Sequence, residues 1–155
     1  MASNSTITLT GIGGVDTRDF AKFAKALRSA APEIAVDLRT ELRAAGDIVA
    51  QEAKKNADEV SPDGRISKTI KTRVSGATVS VVMGGPGAPH AAPIEHGGQS
   101  GSFRHPVFGN KQVWVEQAAH PMLHPALTAA KPAAEEAAIH ALDKAVTSVV
   151  AHMGV

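Results

Sequence analysis

Histidine is the side chain best suited to chemistry near neutral pH. Five of the seven in this chain fall in one stretch, as His90, His96, His105, His120 and His124. Imidazoles gathered this way raise the possibility of zinc, and zinc beside a carboxylate would mean hydrolysis by an activated water. The local sequence argues against it. His120 and His124 have the i, i+4 spacing of a helical ligand pair, but Pro121 and Pro125 interrupt regular helix between them. Glu95 and His96 are neighbours, which on a strand point to opposite faces. The better reading is of loop histidines that cap, pack or contact a neighbouring subunit, with a metal-dependent hydrolase as the alternative.

Other catalytic patterns fail sooner. Neither G-x-S-x-G nor H-E-x-x-H occurs, and the paired carboxylates Glu135 and Glu136 read as solvent-facing charges on a helix. Gly11, Gly13 and Gly14 follow a strand pattern and precede a helix pattern, as in a dinucleotide-binding turn. Position 16 of that turn needs Gly or Ala, and here it is Asp16, whose carboxylate would repel a pyrophosphate. The reading is a plain strand-to-helix turn, and no catalytic, cofactor-binding or metal-binding residue is assigned.

Two clusters point to binding instead. Lys54, Lys55, Arg65, Lys68, Lys71 and Arg73 form a mildly basic group, in which Lys71 and Arg73 share one strand face. It reads as a solvated face that discourages edge pairing, with phosphate contact as the alternative. The second is Phe103-Arg104-His105-Pro106-Val107-Phe108-Gly109 with Trp114, where most of a scarce aromatic complement collects. Such residues serve equally as a local core patch or as interface anchors.

The elements that position these groups follow from hydrophobic period. Thr6 to Thr10 alternates like a half-buried strand. Asp16 or Thr17 caps a helix with Phe20, Phe23, Ala24 and Leu27 on one face. Pro32 opens a long helix to about Asn56, carried by Ile34, Leu38, Leu42, Ala45, Val49 and Ala53. Ser61-Pro62-Asp63-Gly64 is a turn, and Ile70–Val74 with Thr78–Met83 is a hairpin. Residues 84–101 read as a flexible Gly/Pro-rich loop, with room for one helical turn from Ala92 to His96. Short strands follow at Arg104 to Phe108 and around Trp114. A helix from Met122 to about His152 closes the chain, with a break or kink expected at Pro132 and a period of Ile139, Leu142, Val146, Val149 and Met153. The fold class is α+β in one domain, residues 1–155, with a small antiparallel sheet packed against the long helix and the C-terminal helix.

Composition sets limits on partners. The 155 residues carry a net charge of +1 with 3% aromatics, which gives neither a global basic field nor a stacking platform for single strands. Cysteine is absent, which excludes disulfides and thiolate metal sites and fits a reducing compartment. Met1 to Thr10 lacks the features of a signal peptide, and no apolar run suits a membrane, so a soluble chain is expected. A core rich in alanine buries little area per residue, so neighbouring subunits are expected to supply burial.

Several motifs stand in a telling order. They are Ile7-Thr8-Leu9-Thr10-Gly11, the long helix ending near Ala53-Lys54-Lys55, Ser61-Pro62-Asp63-Gly64-Arg65-Ile66, and Thr69-Ile70. Ala91-Ala92-Pro93-Ile94-Glu95-His96-Gly97, the Arg104 to Gly109 stretch with Trp114, and Pro121-Met122-Leu123-His124-Pro125-Ala126-Leu127 follow. Together they resemble the tail-component family of long-tailed, lambdoid-type phages, the small neck or tail-completion proteins of the head–tail junction, in the branch found in actinobacteriophages. The chain departs from the family at His90, where a Tyr is usual, and at Gly98, where a Thr is usual.

The resemblance implies a structural virion protein of the neck, assembled in the bacterial host cytoplasm, with no enzymatic activity and no cofactor. It implies a homo-oligomeric ring, such as a hexamer, between the head-completion or connector proteins and the tail terminator. Genomic DNA would pass through the lumen without sequence recognition, and no membrane would be involved. A tail terminator or another tail-associated subunit is the alternative within the same class. The expected subunit-interface residues are Glu95, Phe103, Arg104, His105, Pro106, Val107, Phe108 and Trp114.

Overall fold

Two long helices, α2 (Pro32–Val60) and α4 (Leu123–His152), run antiparallel as the spine of the protein. Asn56 Nδ2 donates to Met122 O at 3.0 Å near one end, and Lys144 Nζ meets Glu41 Oε1 at 2.6 Å toward the other. The hydrogen bond and charge of Lys144 hold the Glu41 carboxyl below its usual range. This computed structural model describes residues 4–9, 17–76, 78–107 and 109–154. The glycine turn at 11–14 and the capping candidate Asp16 lie outside them.

The expected period of α2 holds and continues one turn further, through Ala57 to Val60. Pro32 sits in the first turn, where its missing N–H costs nothing. After the helix, Ser61 N bonds back to Ala57 O, and Asp63 Oδ1 accepts from Ser61 Oγ and Arg65 N. Gly64 supplies the positive φ of +70° that the turn requires.

On α4 the buried positions are Leu123 in the first turn and then Ala126, Ala130, Ala134, Ala138, Ala141 and Ala145. Packed with Ala45, Val49, Ala50, Ala53 and Ala57 of α2, these alanines form a seam of small residues that lets the two backbones approach closely. The abundance of alanine is therefore a packing device. It also corrects the expected face of the C-terminal helix. Leu142 and Val149 are only half-buried, while Ile139, Val146 and Met153 point into solvent. The expected break at Pro132 does not occur, and α4 continues through it. Pro132 and Thr128, the residue one turn before it, are both exposed, so the carbonyl freed by the proline ring meets water.

A three-stranded antiparallel sheet lies across α2 in the order β1 (Asn4–Leu9), β3 (Thr78–Gly84), β2 (Lys71–Ser75). Its register pairs Ile7 with Val81 and Val74 with Val79. Val79, Val81 and Met83 are almost wholly buried. The first helix, α1 (Thr17–Ala30), closes one end of the core with Phe20, Ala24 and Leu27, and Phe23 is half-buried beside them.

The remaining strands do not join this sheet. β4 (Ser102–Val107) and β5 (Asn110–Ala118) form a separate antiparallel hairpin, so the single sheet expected from sequence is two. Nor is 84–101 a free loop. Ala88, Ala91, Ala92, Ile94 and Glu95 are buried, and α3 (Ala91–His96) packs into the body. The small side chains of this Gly/Pro-rich stretch permit close packing.

At Gly46 the helix and the sheet come into close contact. A Cβ there would lie 2.5 Å from Thr72 Cγ2 and 2.6 Å from Val79 Cγ1. Helix propensity alone would make Gly46→Ala stabilising by about 1 kcal/mol. Overpacking of this kind costs about 1–3 kcal/mol, and should win. Gly46→Ala is therefore expected to lower the urea midpoint, and a raised midpoint would contradict the contact.

Candidate interaction surface

The root of the hairpin is bonded to α3. His120 N donates to Ile94 O at 2.7 Å, and Ala119 N to Gly101 O at 2.8 Å. Gly97 ends α3 with φ +61°, and a Cβ on it would sit 2.7 Å from the Gly101 carbonyl carbon. Only glycine fits where the two ends of the hairpin close against the helix.

At the centre of this root is Glu95, whose side chain has no exposed surface. One carboxylate oxygen accepts from Met122 N at 2.5 Å and Leu123 N at 3.0 Å. The other accepts from Leu123 N at 3.1 Å and His124 N at 3.2 Å. These are free amides at the start of α4, which has no side-chain cap of its own. Glu95 does from a distance what an N-cap residue does locally, and its charge also complements the helix dipole. It thus joins α3, the hairpin root and α4, and has no surface to offer a partner directly.

His124 Nδ1 lies 3.2 Å from Glu95 Oε1, with its ring largely in solvent. The rings of His96 and His124 meet edge-on with centroids 6.2 Å apart, and His96 Nε2 is 3.0 Å from Ser5 Oγ. The fold thus gathers two of the clustered histidines over Glu95. His105 pairs with Gln117 on the hairpin, Nε2 to Oε1 at 3.0 Å. Among the described residues no three histidines and carboxylates converge as metal ligands.

Beyond its root the hairpin is an arm. Strand pairing places Phe103, His105, Val115 and Gln117 on one face, and Arg104, Pro106, Trp114 and Glu116 on the other. Phe103 is half-buried and packs against the main core, with its ring 5.6 Å from that of His105. Of the two readings left open for this stretch, core patch and anchor, Phe103 takes the first. Farther out, Val113, Trp114 and Val115 are 49%, 48% and 39% exposed. Trp114 Nε1 donates to Lys111 O at 2.8 Å, which fixes the indole. Pro106 and Val107 are half-buried, and a register shift between them widens the tip. Proline is tolerated here because the hairpin has only edges. Phe108 lies outside the described residues.

The basic group disperses on inspection. Lys55 pairs with Glu52 and Arg65 with Asp63, while Lys71 and Arg73 line the exposed face of β2. Sequence reading missed the residues that cover the β2 edge. Arg39 and Arg43 reach from α2 to the carbonyls of Val74 and Thr72 at 3.1 and 3.4 Å. That edge is closed to further strand pairing.

Residues 21–97 match the family described as HK97-gp10_like, "Bacteriophage HK97-gp10, putative tail-component". Over that span, 77 of the 155 residues, the chain is similar to this family of bacteriophage tail components. No curated protein and no solved structure matches it. The matched span runs from α1 to Gly97, so it includes Glu95 and stops before the arm and α4.

If Glu95 is the cap of α4, its removal strands several amides at once. Glu95→Ala should cost about 2–4 kcal/mol by chemical denaturation. His124→Ala, which removes an exposed ring, should stay within about 0.5 kcal/mol of wild type. Equal effects from the two would contradict the assignment.

Proposed function

We propose that this protein is a ring-forming subunit of the phage neck, joining the DNA-filled head and its connector to the tail. It acts by binding alone, contacting copies of itself, head-completion proteins and the tail terminator, while genomic DNA passes through the lumen. The observation that carries this reading is the arm. A two-stranded hairpin is marginal in water, yet this one carries a half-exposed tryptophan between two exposed valines. An anchor of that kind suits a protein whose complete environment includes a neighbour. The interface residues are Arg104, His105, Pro106, Val107 and Trp114, with Phe108 included on sequence grounds and Phe103 and Glu95 holding the arm in place.

Electron microscopy of a lysate from phage with a nonsense mutation in this gene tests the proposal. Filled heads beside separate, unjoined tails are expected. Complementation with Trp114→Ala should leave the same unjoined particles, although the purified variant should keep its circular dichroism and unfold within about 0.5 kcal/mol of wild type. Joined particles in the mutant lysate would overturn the neck assignment.

A further inference from the structure

Among the described residues, the outer face of the three-stranded sheet carries no carboxylate. Its register lays Arg73, Ser80 and Thr8 in one row across β2, β3 and β1, and Lys71, Val82 and Thr6 in the next. Beyond these rows the outward positions are Ser75, Thr78, Asn4 and Gly84. Arg73, Lys71 and Thr6 are exposed, while Ser80 and Thr8 are half-exposed with their hydroxyl oxygens 3.4 Å apart. Val82 is buried between the flanking Lys71 and Thr6. The chain has 15 acidic residues, yet this face presents hydroxyls, one amide and two cations.

Further cations line the β2 edge of this face. Arg39 and Arg43, one turn apart on α2, bring their guanidinium groups to Val74 O and Thr72 O, so these groups alternate with Arg73 and Lys71 along the strand. Each spends a donor on a neutral carbonyl, and keeps its charge and its other N–H groups for a partner. Arg28, in the last turn of α1, borders the same hollow as Arg39 and Gly76 of the β2–β3 turn. All five cations are exposed, and none is in an ion pair among the described residues. The α2 acids Asp37 and Glu41 are turned toward Lys144 of α4 instead. One carboxylate ends the arginine row, Asp47, a turn past Arg43 and also outside any ion pair among the described residues.

We infer that this face and its β2 edge bind the phosphate backbone of duplex DNA. Arginine, lysine, serine, threonine and asparagine side chains are the set that contacts phosphate oxygens, and a carboxylate would repel them. Cations on alternate residues of a strand stand about 7 Å apart, and a row of that kind suits a partner whose negative charge also repeats along a line. None of the outward positions is aromatic, so bases have nothing to stack on and a single strand gains no advantage over a duplex. Apart from the cations the side chains are short, so contact stops at the backbone and reads no sequence. With a net charge of only +1 on the whole chain, the attraction is local to this face and readily screened by salt. Weak, sequence-blind contact suits DNA that must move past the protein. The inference rests on the proposed ring, in which DNA crosses the lumen, and names the surface turned toward it.

Fluorescence anisotropy of a labelled DNA duplex, titrated at low salt with the purified full-length chain, tests this. Binding without sequence preference is expected, and log K should fall against log salt with a slope of about −3 to −4 for four phosphate contacts. Lys71→Gln with Arg73→Gln should weaken binding about tenfold or more and reduce the slope by about 2. Both side chains are exposed, so circular dichroism should not change. Lys55→Gln with Lys131→Gln removes the same charge from the two long helices and should leave affinity within about twofold of wild type. Absence of binding at low salt, or equal losses from the two double variants, would overturn the inference. So would tighter binding to the single strand or to phosphatidylglycerol vesicles than to the duplex, which would give the face to another polyanion. Duplex binding together with joined particles from the nonsense mutant would keep this surface and remove the neck reading, so the two fail separately.

Discussion

A single buried carboxylate organises the protein. Glu95 occupies the place where α3, the base of the arm and the first turn of α4 meet, and it is bonded chiefly to the backbone of α4, with the His124 imidazole also in reach. A charge with no solvent exposure is tolerable only if its oxygens are well supplied with donors. The supply here comes from amides that a helix start must otherwise leave unpaired. Each side solves the other's problem. The arm's orientation follows, because its return strand leaves through His120, whose amide bonds to the helix that carries Glu95.

The second constraint is how apolar volume is distributed. Small residues fill much of the contact between the two longest helices, and Gly46 lets the sheet come close to α2. Close backbones compensate for small side chains, since alanine loses no rotamer freedom on burial. Larger apolar groups remain available outside the core, on the arm and on the outer stripe of α4. This links sequence composition to assembly. The family match rests on the helical and sheet portion, whereas the arm proposed to build the ring lies after it.

Much of this could be read from the chain. The period of α2, the hairpin of β2 and β3 and the turn at Ser61 to Gly64 were legible because each depends on neighbours in sequence. The face of α4 was not, because hydrophobic period alone favours Ile139 and Val146 over alanine for the inside. Glu95 was hardest to read, since its partners lie 27 to 29 residues away. One signal was present. The entry to α4 at Pro121-Met122-Leu123 offers no Ser, Thr, Asp or Asn as a cap, which leaves those amides to be satisfied from elsewhere. The arm's aromatics were visible as a cluster, but sequence could not divide them between Phe103 at the core and Trp114 outside.

Amide hydrogen exchange at Met122, Leu123 and His124 tests the central claim most directly. A helix's first amides ordinarily exchange quickly, because nothing within the helix accepts from them. With Glu95 as acceptor, these amides should be protected to nearly the same degree as the middle of the alanine seam. Exchange at the rate of an unstructured chain, in a protein whose seam is otherwise protected, would contradict the account.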